Sequence, residues 1–377
     1  MLRSTILWGT YKTNTSLSST SFRYDGSSGS IAETAVLPCG TGPTWIQQHP
    51  MDPTVVLVVD GSELRTYQHN EGPSLDSGSW QHLSSFAPPN WQRIVHGSWS
   101  TDASTIFAVD YDAAEVASFA VEGFDITAEI KRITLSGHGA YAPLQSSPHP
   151  HQVVQHPHKP WLYVSDLGAD RIHVLDLDHA GDISLSSSAP TPPAFGPRHV
   201  AFHPRGDVLY SIGEIGCGVT TYEINQSNGS LTSVVTVSTL PPGLDPTTAG
   251  LNVGSARGVM AGEVIVTKDG KHLYASNRNQ QNVPQDTLAI FNLDSEHPYA
   301  PVMTSKRVIG SEGLVPRGIK FDRKDRLLAV GNQNSSSVYV FERDVHTGNL
   351  TRIAGSMLPS HNQPTAAIWL SQSEDEH

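Results

Sequence analysis

The chain has 377 residues, 24 basic against 36 acidic, for a formal net charge of −12, and only 16% of its residues are charged. That balance argues against a nucleic-acid or anionic-membrane partner. It leaves a small molecule as the expected partner, held by a local basic pocket if it is an anion. Two cysteines, Cys39 and Cys217, give neither a disulfide framework nor a paired metal motif, although one long-range disulfide stays open. The apolar run at residues 6–8 is too short for a signal-peptide core, and no stretch approaches transmembrane length. The expectation is a cytoplasmic protein, or a secreted one whose signal segment has been removed. Sequons at Asn14, Asn225, Asn228, Asn334 and Asn349 fit the second case.

Taken in order, the chain repeats one pattern, and residues 196–224 carry it most completely. There an apolar alternating run meets a His-Pro-x-Gly turn at 203–206, a second strand follows at 208–212, and a third at 219–221. Residues 6–11 and 21–24 read as two strands lacking a first. Residues 45–49, 55–59 and 64–67 form the next copy, and residues 94–97, 106–109 and 116–121 the one after. Further copies begin at His151, at Arg198, at Glu263 and at Arg317, and residues 365–370 supply one last strand. Outer fourth strands are expected at 231–237 and 350–353. The insertion 241–260 is expected at the channel mouth, and residues 371–377 as a frayed polar tail.

Six full copies plus one shared between the two ends describe a closed ring. The expectation is an all-β, seven-bladed β-propeller spanning 1–377 as a single domain, with four-stranded antiparallel blades and one blade built from both termini. The interval of 47 residues from His151 to Arg198 and of 55 from Gly262 to Arg317 suits a blade period. Closure also removes the open sheet edges along which strands aggregate.

In a propeller, equivalent repeat positions converge on one axis. His151, Gly262 with Glu263 beside it, and Arg317 match Arg198 just before or within the first strand. Tyr111, Leu167, Arg278 and Gln333 match Glu214 just after the second. The runs SPHPHQ (147–152), GPRHVAFHPRG (196–206), Gly213-Glu214, LYASNR (273–278) and VPRGIKF (315–321) resemble the seven-bladed propeller lactonase family, which comprises bacterial-type 6-phosphogluconolactonases and fungal carboxy-muconate lactonizing enzymes. The resemblance spans nearly the whole chain and is strongest over residues 148–341. It implies site residues His151, Arg198, Glu214 and Arg278. The first two repeats depart most, with His96-Gly97-Ser98 in place of the usual first-strand motif.

These residue types suit lactone chemistry. A histidine or carboxylate transfers the proton, and arginines hold carboxylate or oxyanion charge. His151 and Glu214 are the expected catalytic pair, and Arg198, Arg278, Glu263, Arg317, Tyr111 and Gln333 the expected substrate-binding rim. No cofactor or metal is expected: His49, His156 and His203 recur before a proline as turn residues. No serine elbow, zincin or phosphate-loop motif occurs. The reading is a metal-independent lactonase or cycloisomerase. A secondary-metabolism cyclase or pericyclase and a non-catalytic binding platform stand as alternatives. The reaction direction, substrate and oligomeric state stay open.

Overall fold

The second strands of the repeats are valine-, isoleucine- and aromatic-rich along their length and are buried on both faces. Val55–Val59, Thr105–Asp110, Trp161–Asp166, Val208–Gly213, His272–Arg278 and Leu327–Asn332 have no exposed residue. Such strands need a sheet packed on each side, and a ring of radial sheets supplies it. A computed structural model describes residues 2–11, 16–24, 29–38, 42–70, 79–244, 258–280, 283–293, 307–357 and 363–374. Among these, the strands form seven four-stranded antiparallel sheets, and the only helix is the single turn Ala142–Gln145. No helix among them is long and apolar enough to cross a membrane.

The strands closest to the axis are Trp45–Gln48, Ile94–Trp99, Pro150–Gln155, Pro197–Phe202, Met260–Val266, Pro316–Phe321 and Gln363–Glu374. Each touches the equivalent strand of the sheet before and after it, and the cycle closes from Gln363–Glu374 back to Trp45–Gln48. The fold is therefore a β-propeller. We number the blades from the one that joins the termini, so that blades 4, 5, 6 and 7 begin at Pro150, Pro197, Met260 and Pro316. Blade 1 takes Gln363–Glu374 as its inner strand, paired with Leu2–Tyr11, then Ser16–Tyr24 and Gly29–Pro38.

Neighbouring blades share apolar clusters. Val95, Phe107 and Val109 of blade 3 pack with Val153, Leu162 and Val164 of blade 4, and Ile6 and Trp8 of blade 1 pack with Leu327 and Ala329 of blade 7. The turn histidines act as expected. His49, His156 and His203 each accept backbone N–H bonds at Nδ1 within their own turn. His156 also uses Nε2 to donate to Gly206 O of the next blade, at 2.6 Å.

Several sequence expectations change. The third N-terminal strand, Gly29–Pro38, was not read, nor were the outer strands Ser79–Phe86, Asp125–Thr134, Ile183–Pro190 and Arg307–Gly310. Ile183–Pro190, ISLSSSAP, is mostly exposed and gives little apolar signal, and Ser79–Phe86 and Asp125–Thr134 are likewise largely exposed or half-buried. The polar tail is shorter than expected, because the pairing with Leu2–Tyr11 continues to Glu374. Most of the 241–260 insertion lies outside the described residues, as does Cys39, and Cys217 is a free buried thiol.

Candidate active site at the channel mouth

Five inner strands carry the same irregularity. Register shifts fall between Ile94 and His96, Pro150 and Gln152, Pro197 and His199, Ala261 and Val264, and Pro316 and Gly318. A β-bulge inserts an extra residue and re-aims its side chain. The extra residue is His151 in blade 4, Arg198 in blade 5 and Arg317 in blade 7. Adjacent residues such as Arg198 and His199, which a regular strand would send to opposite faces, both end up buried together at the channel. The second strands are anchored with equal regularity: Tyr111, Leu167, Glu214 and Gln333 donate their N–H groups to Arg93, His149, Gly196 and Val315 O just upstream of the inner strands.

Glu214 sits between two guanidinium groups. Its Oε2 is 2.8 Å from Arg278 Nη2 and 3.0 Å from Arg198 Nε, the latter an ion pair bent too far for a hydrogen bond. Arg278 also donates from Nε and Nη2 to Ala261 O at 3.1 and 2.6 Å, and Arg198 Nη1 donates to Gly262 O at 2.9 Å. Burial opposes charge on Glu214, but Arg278, Arg198 and Arg317 outweigh it and hold its pKa at about 2. Burial and the positive charges of Arg278 and Arg317 pull Arg198 down to about 9, so it stays charged at neutral pH.

His151 is buried, and its Nδ1 has no hydrogen-bond partner. Its ring lies edge-on to His199 at 5.1 Å and to Tyr111 at 6.0 Å. Burial, then the positive charges of Arg198, Arg317 and Arg278, push its pKa well below 6.5. It is a neutral imidazole facing a cationic cluster. Tyr111 stacks on His149 at 4.3 Å and carries Arg93 over its other surface. Arg317 lies over the Tyr11 ring at 5.6 Å, its charge felt by His151, Arg198, His199 and Glu214.

The structure thus brings His151, Arg198, Glu214, Arg278, Arg317 and Tyr111 to one mouth. Gln333 is at the equivalent position of blade 7, half-buried, with only backbone bonds among the described residues. Glu263 is set deeper. Both its oxygens accept from His199 Nδ1, at 2.8 and 2.9 Å, and Val264 N donates to it. Burial holds the His199 pKa down at about 4, so His199 is the neutral donor and Glu263 the anion. Sequence reading missed His199 and His96, because strict alternation points them away from the channel. For His199 a signal was present, a proline followed by two channel residues at Pro150-His151-Gln152 and Pro197-Arg198-His199; His96 follows Ile94-Val95 and carries no such mark.

A closed ring of antiparallel blades with histidine, arginine and carboxylate side chains converging at one end of its channel defines a β-propeller with a charged cluster on its axis. The chain belongs to the lactonase, 7-bladed beta-propeller family, whose model matches residues 5–367. It is 31% identical over 215 residues to an uncharacterized protein of Lactococcus lactis, covering 55% of this chain and 57% of that protein. To the 6-phosphogluconolactonase of Bacillus subtilis it is 27% identical over 266 residues, covering 70% and 69%. The periplasmic gluconolactonase of Pseudomonas aeruginosa shares its fold with a TM-score of 0.79 at 24% identity, over 98% of this chain and 99% of that one.

Proposed function

We propose that the protein hydrolyses a lactone bearing a negative charge, with His151 as the proton-transfer group and Arg198, Arg278 and Arg317 as the anion-binding set. The observation that carries this reading is the neutral His151 beside buried Arg198 and Arg278 and half-buried Arg317, whose positive charges exceed those of the two carboxylates Glu214 and Glu263 by one (three minus two). A low-dielectric pocket with that surplus favours an anionic substrate and stabilises the oxyanion that forms on its carbonyl oxygen. The membership of the lactonase family and the activity named for the Bacillus subtilis relative support the substrate class.

In this reading a water molecule attacks the lactone carbonyl while the His151 imidazole takes its proton. The tetrahedral oxyanion is held by the arginines and collapses by breaking the ring C–O bond. The imidazolium returns the proton to the departing alkoxide, giving a hydroxy acid and restoring neutral His151. Glu214 remains ionised throughout and sets the planes of Arg198 and Arg278. Tyr111 and Gln333 lie on the rim, where substrate shape would be read. His151, Arg198 and Arg278 would serve equally to close a ring from an unsaturated acid, so the direction is decided by assay.

The test is turnover of 6-phosphogluconolactone, gluconolactone and a carboxylated muconolactone. The expected result is hydrolysis that favours the charged lactones, falls about 100-fold in His151→Ala and by about 100- to 1,000-fold in Arg198→Ala. It is unchanged by a chelator. His151 acts as a base when neutral and its pKa lies well below 6.5, so kcat/KM should stay level as pH falls through 6.5 and drop only below it. Turnover unchanged in both variants, or no lactone opened faster than in buffer, would overturn the proposal; loss on chelation would overturn the metal-free mechanism.

A further inference from the structure

Below the mouth, the channel is crossed by a layer made of Trp45, His96, Gln152, His199 and Glu263. The Trp45 and His96 rings are 4.4 Å apart, and His96 and His199 5.9 Å apart. Gln152 Oε1 accepts from Val200 N of the next blade at 2.6 Å, which ties the layer to the walls. Both ring nitrogens of His96 and Nε1 of Trp45 are buried without a hydrogen-bond partner among the described residues. On the far side of this layer lies a separate cavity of about 520 Å³, opening on the face opposite the mouth. Its walls are mixed: Val154, Ala201 and Ile265 on successive inner strands give an apolar stretch, while Gln48, Gln152 and Glu263 add polar groups and Trp45 an indole.

Three cations line this space, Lys268, Lys320 and Arg323. Lys320 lines the cavity with its surface open to it, and makes no ion pair among the described residues. The surrounding protein desolvates it enough to lower its pKa. Glu263 is its nearest buried carboxylate, but both Glu263 oxygens are engaged by His199, and its ionisation is supported by His199 and Arg198. At the rim the charges balance, with Lys268 and Arg323 against Asp322 and Asp325. The cavity therefore combines an ammonium that makes no direct ion pair among the described residues, though Glu263 and Asp325 act on it from a distance, with an indole and aliphatic wall segments, in a volume typical of small-ligand sites.

We propose that this far-face cavity is a second, non-catalytic binding site for a small monoanion with a planar apolar body, of the arylcarboxylate class, whose carboxylate pairs with Lys320 while its ring lies against Trp45, Val154 and Ala201. A dianion would set its second charge against Glu263 or the aliphatic wall. The site is independent of lactone turnover, since none of the mouth residues His151, Glu214, Arg278 or Arg317 lines it.

Benzoate is the probe, titrated calorimetrically into the full chain, with benzamide as its uncharged isostere. The expected result is saturable benzoate binding that weakens about tenfold or more in Lys320→Met, as loss of one charge-assisted contact implies. It persists in Arg198→Ala and is not matched by benzamide, and lactone turnover stays unchanged in Lys320→Met. Should Lys320→Met fail to fold, a crystal soaked in para-iodobenzoate gives the answer directly, with anomalous density beside Lys320 expected. No saturable binding at millimolar benzoate, equal binding of benzamide, density only at the mouth, or loss in Arg198→Ala with retention in Lys320→Met would each overturn the site.

Discussion

Glu214 illustrates how a side chain's role follows from its partners. A carboxylate held at about 2 between Arg198 and Arg278 is an anion at any pH where the protein works, and so a poor proton donor. The sequence reading paired Glu214 with His151 in proton transfer; the proposal above leaves that task to His151. Glutamine at this position would leave three guanidinium groups facing one another without their anion. Glu214→Gln should therefore lose about 3 kcal/mol of stability at neutral pH. The sign with pH follows from the lowered pKa: the ionised group favours the folded state above the unfolded value of 4.5, and that contribution fades as pH falls toward 2. Urea unfolding of both proteins at pH 7 and pH 3 should show the gap narrowing in acid. An equal midpoint at pH 7 would mean that the carboxylate does not balance the arginines.

The inner hairpins repeat one construction, a strand with a bulge near its start and a tight turn at its end. Gly270 closes such a turn in blade 6 with φ of +68°, a region that side-chain-bearing residues rarely adopt, and a Cβ there would meet His203 Nε2 at 2.6 Å. Gly123, with φ of +64°, has nothing within 4 Å of the same position. Gly123→Ala should therefore cost only the backbone strain, about 1 kcal/mol. Gly270→Ala should cost 1 to 3 kcal/mol more, because His203 must also give way. Thermal unfolding of the two variants separates the terms, and equal losses would show that the contact between blades 5 and 6 contributes nothing.

Ring closure rests on blade 1. Gln363–Glu374 pairs with Leu2–Tyr11, Thr365 Oγ1 donates to Pro43 O at 2.7 Å, and Ala366, Ile368 and Leu370 pack with blade 2 while Ala367 and Trp369 pack with blade 7. Removing this strand opens two blade interfaces and bares sheet edges in one step. We expect a chain ending at residue 362 to lose its cooperative urea transition, and a peptide of residues 363–374 added in trans to restore it in part. A truncated chain that unfolds at the full-length midpoint would show that the blades hold independently of closure.

How much of this was legible before folding can be traced to particular residues. Repetition alone yields the propeller: the second strands are mostly apolar and buried along their length because both their faces are covered, and the recurring His-Pro turns mark the copies. Equal offsets in a ring of repeats also predict that His151, Arg198, Glu214, Arg278, Arg317 and Tyr111 converge at one end of the axis, and they do; the family resemblance singles out the first four as site residues. Of the seven outer strands only those at Leu231–Ser238 and Leu350–Met357 were expected; the other five carry little apolar pattern. The sequence reading also missed His199 and His96, because a bulge is a departure from alternation that only pairing with the next strand reveals. The deeper position of Glu263, the Arg198–Glu214–Arg278 contact and the separation of the mouth from the far-face cavity were likewise decided by tertiary structure. A carboxylate is a proton carrier, a clamp for two arginines or the partner of a histidine according to which groups lie within about 3 Å of it. That distance is set by blades joined only through the ring.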